Sequence, residues 1–293
     1  MIFLSFFSVN IDIKLKSSMA RATTGQELTS VAPEQDAGED GLDLSKAVLP
    51  AEGVTIPIKW GNLGVQMIAT GVIDALKFES IYAQRGGLSD DEKNLLYGTA
   101  EVPFKLDAQN SATLLNLLWA FGLANKSEIL ATGPMQDPRY GGADRFASTG
   151  GWTLAKGEAM DHYSKHEFVV LSQEQAEMVK RVSENIYRPC CGNSTYFPDC
   201  NHGMAMLGLL QLMAAQNLSE AEMYQFALKV NSYWFPDTYL AIATYFAKQG
   251  VQWKDVDAKE ALGSAYSSAA GYRKILTEVE PPKSGGSGGG CGV

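Results

Sequence analysis

The stretch RPCCGNSTYFPDCNHGM, Arg188 to Met204, holds three of the chain's four cysteines and one of its three histidines. The other two histidines, His162 and His166, lie just upstream, so six of the seven Cys and His residues fall between positions 162 and 202. Crowding of this kind is what ligands for a single ion produce. Thiolate and imidazole are soft to borderline donors that suit Zn(II), and the neighbouring Met160, Met204 and Met206 make Cu(I) an equal candidate. No carboxylate array stands out that would suit Mg or Ca. The candidate metal ligands are therefore Cys190, Cys191, Cys200, His202, His162 and His166.

Spacing refines this reading. In DHYSKH, His162 and His166 are four apart, which on a helix stacks both rings on one face within reach of one ion. Tyr163 occupies the place where a zinc-protease H-E-x-x-H needs its glutamate, so that chemistry is excluded. Adjacent cysteines diverge on an extended strand, so Cys190 and Cys191 can face one ion only across a bend, and Pro189 and Gly192 supply the turn signal. Cys200 and His202, two apart, point the same way on an extended segment. A helix follows, with Asp199 or Asn201 as its expected cap, and its positive end favours a thiolate at Cys200.

No standard metal spacing matches: there is no C-x-x-C pair, no C-x-x-C-H and no ferredoxin run. Several readings therefore stay open. One is a soft transition-metal protein for metal handling, storage or sensing. A second is a thiol-disulfide oxidoreductase using the vicinal cysteines and Cys291 as a mobile thiol on the C-terminal tail. The third is a helical interaction protein with a purely structural metal or disulfide, for which the acidic linker and the aromatic loop are the places to seek a protein partner. No catalytic acid, base or substrate pocket assembles around these ligands in the sequence, which places metal binding first.

The elements that must hold these residues are mainly helical. Residues 62–83 show one apolar face through Leu63, Met67, Ile68, Val72, Leu76 and Ile81, and residues 108–125 another through Leu114, Leu115, Leu118 and Phe121, with Gly122 as the expected end. Ser172 with Gln175, and Ser219 with Glu222, form capping-box patterns that start two further helices. More helix is expected over 238–248 and 259–276. Only VTIPIKW and HEFVVL read as strands. The expected fold is a mainly α, helical single domain with few or no strands and one long irregular Gly/Pro/aromatic loop, Gly133 to Gly157, pinned by Tyr140, Phe146 and Trp152 or serving as a substrate lid.

At 293 residues with 45% hydrophobic and 19% charged residues, the chain can bury a core without disulfides. A formal charge of −9 with no basic stripe argues against nucleic-acid binding. Residues 1–47 read as a leader of doubtful status, with Met19 an alternative start, followed by an acidic linker. A tether of this kind favours an exported or membrane-tethered protein. No run is long and apolar enough for an integral membrane domain. Residues 48–280 form the expected helical domain, and 281–293 a flexible Gly/Ser tail carrying Cys291.

Overall fold

Where apolar residues recur every three or four positions, the chain is helical. The computed structural model describes residues 44–280, so the leader, most of the linker, the tail and Cys291 lie outside the described residues. Eight helices of eight or more residues occur among them: α1 (Leu63–Thr70), α2 (Ala75–Ala83), α3 (Asp90–Tyr97), α4 (Ser111–Ala124), α5 (Gln173–Glu184), α6 (Asn201–Ala215), α7 (Glu220–Trp234) and α8 (Pro236–Lys248). The fold is mainly α. Its sheet has two antiparallel strands, β1 (Val54–Gly61) and β2 (Ala100–Leu106), with Ile56 opposite Phe104. Alternation buries Ile56, Ile58 and Trp60 against the helices.

Both expected capping boxes form. Ser172 and Gln175 bond reciprocally at the start of α5, as do Ser219 and Glu222 at the start of α7. A third, Ser89 with Glu92, opens α3. The expected helix over 62–83 is instead two helices. Gly71 takes a left-handed φ of 85° and closes α1, while the Asp74 carboxylate caps α2 through the amides of Leu76 and Lys77. The break turns Leu76 out to solvent, 79% exposed, although its spacing placed it on the buried face. The expected helix over 259–276 likewise divides into Ala258–Leu262, Ser264–Ser267 and Ala269–Ile275, interrupted at Gly263 and Ser268.

VTIPIKW is a strand, whereas HEFVVL is not. With no neighbouring strand, the Val169 amide bonds the Asn125 side chain instead, and His166 makes only an isolated bridge to Asn125. The strand actually paired with β1 is β2, whose Pro103 hides it from a sequence reading; a two-stranded edge tolerates a missing ladder donor.

The centre of the core is the α4–α6 pair. Gly122 lies inside α4 and does not end it, because its missing side chain is what lets α6 approach. A Cβ there would press into the Met204 carbonyl oxygen, and one on Gly208 would lie 2.6 Å from the Leu118 carbonyl oxygen. The two helices run in the same direction: Gly122 meets Gly208, and further along the Asn125 amide bonds the Gln211 side chain at 3.1 Å. This parallel crossing fixes where the start of α6 projects. The loop 133–157 is built from short 3₁₀ turns and a single α-turn, and it is fastened rather than free. Trp152 is buried, donates to the Val72 carbonyl and packs on Trp119, while Tyr140 and Phe146 close on Phe197 at 5.3 and 5.4 Å between ring centres.

Candidate metal centre

Cys190 and Cys191 sit in a turn at the tip of a hairpin-like excursion between α5 and α6. Its base is closed by Thr195, whose amide and hydroxyl both donate to the Ile186 carbonyl. Its tip is closed by Gly192, at a left-handed φ of 86°, with its amide on the Arg188 carbonyl. The bend expected from Pro189 and Gly192 is therefore present, and it turns the two adjacent sulfurs to the same side, 3.9 Å apart. Cys200 comes from the other end of the excursion. It stands at the N-cap of α6, so the expected caps, Asp199 and Asn201, do not cap: the Asn201 carboxamide bonds the next amide and Asp199 is engaged elsewhere.

The Cys200 sulfur lies 3.7 Å from that of Cys190 and 4.0 Å from that of Cys191. The three sulfurs thus form a nearly equilateral triangle. A ring nitrogen of His202 lies within 4.8 Å of the Cys190 and Cys200 sulfurs, and an Asp199 oxygen within the same distance of the Cys191 and Cys200 sulfurs. Hydrogen bonding separates these two candidates for a fourth ligand. Both Asp199 oxygens are occupied, one by Arg188 at 2.6 Å and the Cys191 thiol at 3.6 Å, the other by the Asn193 amide at 2.8 Å. His202 is buried, and its Nδ1 has no partner. An orphaned buried nitrogen beside two of the three sulfurs has the chemistry of a ligand.

Beneath the triangle lies Arg188, 1% exposed. Its guanidinium lies flat across the first turn of α6, where a Cβ on residue 203 would come within 2.6 Å of Cζ, so Gly203 is required for this packing. Nη2 donates to the Phe197 carbonyl at 3.0 Å as well as to Asp199. Burial works against the Arg188 charge, but Cys200, Cys191 and Asp199 outweigh it and hold the guanidinium charged. In turn, hydrogen bonds from Cys190 and Cys191 hold the Cys200 thiol well below its ordinary pKa, with Arg188 adding to the effect. Cys190 is pushed up by its bonds to Cys191 and Cys200. Burial raises Asp199, with Arg188 pulling the other way, and burial lowers His202 to about 4 with the Arg188 charge adding to it. The cluster therefore presents a thiolate at Cys200, a thiol at Cys190 whose proton a bound cation would have to displace, and a neutral imidazole at His202.

His162 and His166 are brought together, but not to the cysteines. They occupy irregular turns rather than a helix, with Ser164 at a left-handed φ of 53°. Ser164, Lys165 and His166 bond the last carbonyls of α4, near Gln211, whereas Cys200 begins α6; about eleven residues of helix, roughly 16 Å, separate the two places. The Lys156 carbonyl can only accept, so His162 Nε2 carries a proton, and His162 Nδ1 accepts from His166 Nε2 at 3.2 Å. A hydrogen-bonded pair of stacked rings, with His166 stacked in turn on Phe168, accounts for these two side chains.

Sequence reasoning missed Arg188, Asn193 and Gly203, and it weighed Asp199 only as a cap. A single arginine or glycine in a cysteine-rich loop has no spacing signal, because its role depends on what lies across the fold. Among the described residues no helix is long and apolar enough to cross a membrane. No family model matches the chain, and neither a curated protein nor a solved structure shows significant similarity to it.

Proposed function

We propose that the chain is a soft transition-metal-binding protein that holds Zn(II) or Cu(I) through Cys190, Cys191, Cys200 and His202 for metal handling, storage or sensing. The observation that carries this reading is the sulfur triangle, with edges of 3.7, 3.9 and 4.0 Å. With metal–sulfur bonds of about 2.3 Å, a tetrahedral ion needs sulfurs about 3.8 Å apart and a trigonal one about 4.0 Å. Both fit, so the identity of the metal is left to experiment. Arg188, charged and buried beneath three prospective thiolates, offsets their mutual repulsion.

Elemental analysis of anaerobically purified full-length chain, with free thiols counted on the same sample, tests the proposal. The expected result is about one equivalent of Zn or Cu, lost in both Cys200→Ser and His202→Ala. A full thiol count with no metal refutes it. Missing thiols with no metal support the rival reading of a thiol-disulfide oxidoreductase, which is favoured by one feature: Cys190 is exposed while its sulfur lies 3.7 Å from the Cys200 sulfur.

A further inference from the structure

Against the other side of His202 the fold leaves a cavity of about 400 Å³. It lies where five parts of the chain meet: residues 49–51, the end of α2, the start of α4, the first turn of α6, and the junction of α7 with α8. Its walls are largely apolar and aromatic, with Tyr233 and Trp234 on one side and Leu115 on another. A few polar groups converge on this surface, namely Arg85, Asn116, Asn201 and His202. A concave apolar site with a handful of placed polar groups is the usual form of a small-molecule site.

The polar groups are positive or donating. The Arg85 side chain makes no salt bridge and no hydrogen bond among the described residues, its backbone amide alone being bonded, to the Tyr82 carbonyl. Both α4, through Ser111 and Ala112, and α6, through Asn201 and His202, present their N-terminal turns to the cavity. Neither start has a side-chain cap hydrogen bond, and neither first turn carries an acid. The start of the 14-residue α4, with no acid in its first turn, lies beside the unpaired Arg85 guanidinium and attracts an anion, while the dipole of α6 is already offset in part by the Cys200 thiolate at its N-cap.

His202 supplies the independent pointer to a ligand. It is 6% exposed and lines the cavity; its orphaned Nδ1 is the nitrogen set beside the sulfurs, and Nε2 makes no hydrogen bond among the described residues. On the metal reading above, on which this step rests, one ring nitrogen binds the ion and the other must carry a proton. Metal-binding histidines almost always donate that second N–H to a carboxylate, a carbonyl or water. Here no carboxylate or carbonyl of the described chain accepts from the His202 ring.

We propose that this cavity binds a small carboxylic acid with an apolar body. The carboxylate is held by Arg85, the first turns of α4 and α6 and the His202 imidazole N–H, and the body lies against Leu115, Tyr233 and Trp234. The ligand thereby supplies the outer partner of a metal-binding histidine, so ligand and metal report on each other through one side chain.

Isothermal titration of the zinc-loaded full chain with benzoate tests this, with inorganic phosphate as a second probe and metal content measured on every sample. Benzoate is expected to bind saturably and more tightly than phosphate, which has no body to bury. Arg85→Gln, at an exposed position, is expected to weaken benzoate about tenfold, and Ala112→Trp, at the exposed rim, to abolish binding, both with metal content unchanged. In the Co(II)-substituted protein, the visible bands of the ion are expected to shift on benzoate addition. Fully metallated protein that fails to bind benzoate, or binds it unchanged in both variants, overturns the cavity proposal and leaves the metal site standing. Phosphate binding more tightly than benzoate overturns the carboxylic-acid assignment. Protein that takes up no metal overturns the metal reading and with it the His202 contact, whatever benzoate does.

Discussion

Gly122→Ala sets local propensity against tertiary packing. Inside a helix, replacing glycine with alanine stabilises by about 1 kcal/mol on propensity alone. The new methyl, however, would overlap the Met204 carbonyl oxygen and lie 3.0 Å from the Gly208 amide nitrogen, both backbone atoms of α6 that cannot rotate away. Overpacking a core costs about 1–3 kcal/mol, and a clash between two helix backbones belongs at the upper end or beyond. The net expectation is a loss of about 2 kcal/mol, equivalent to a fall of roughly 4–8 °C in Tm for a chain of this size. Because α6 carries Cys200 and His202 on its first turn, metal affinity should fall with it. Urea unfolding of metal-free protein and metal titration of the folded variant measure the two effects. A variant as stable as the parent, or more so, would refute the close parallel crossing of α4 and α6 and restore Gly122 to an ordinary helix position.

Three other outcomes follow from the same geometry. Arg188→Met leaves the Asp199 carboxylate without its 2.6 Å partner and is expected to cost about 3 kcal/mol in urea unfolding, with weakened metal binding; Arg188→Lys should not restore it, since a compact ammonium cannot span Phe197 and Asp199 from a flat position over Gly203. His166 has its pKa lowered by burial, then by His162 and Lys165, so the unfolded chain takes up its proton first. Its contribution is therefore fully present above pH about 6.5 and is lost as pH falls below it; the pH dependence of Tm should flatten there in His166→Gln. Ser219→Ala removes one half of the capping box at α7 and is expected to cost about 1 kcal/mol, measured by the same unfolding assay.

Much of the candidate site was legible before any coordinates. Residue type and density pick out Cys190, Cys191, Cys200 and His202, which the fold brings close together, and Pro189 and Gly192 mark the bend between the vicinal cysteines, because ligand chemistry and turn chemistry are both local. The capping boxes at Ser172 and Ser219 were legible for the same reason: each is satisfied within four residues. His162 and His166 show where density misleads. They are near the cysteines in sequence, but their backbone is tied to the end of α4 while Cys200 sits at the start of α6, and a helix length intervenes.

Residue type and periodicity along the chain were enough for the mainly helical class, for the choice of Cys190, Cys191, Cys200 and His202 as candidate soft ligands, and for the turn that presents two of them. The crossing of the helices was needed to show that the third sulfur completes a triangle with the first two, that Asp199 is spent on Arg188 and Asn193 while His202 is left over, that Gly122 is a point of close approach instead of a helix end, and that Gly203 makes room for Arg188. The difference is one of range. Periodicity, capping and turn preference act over a few residues along the chain, whereas coordination, buried-charge balance and backbone contact depend on atoms that meet only when separate helices cross.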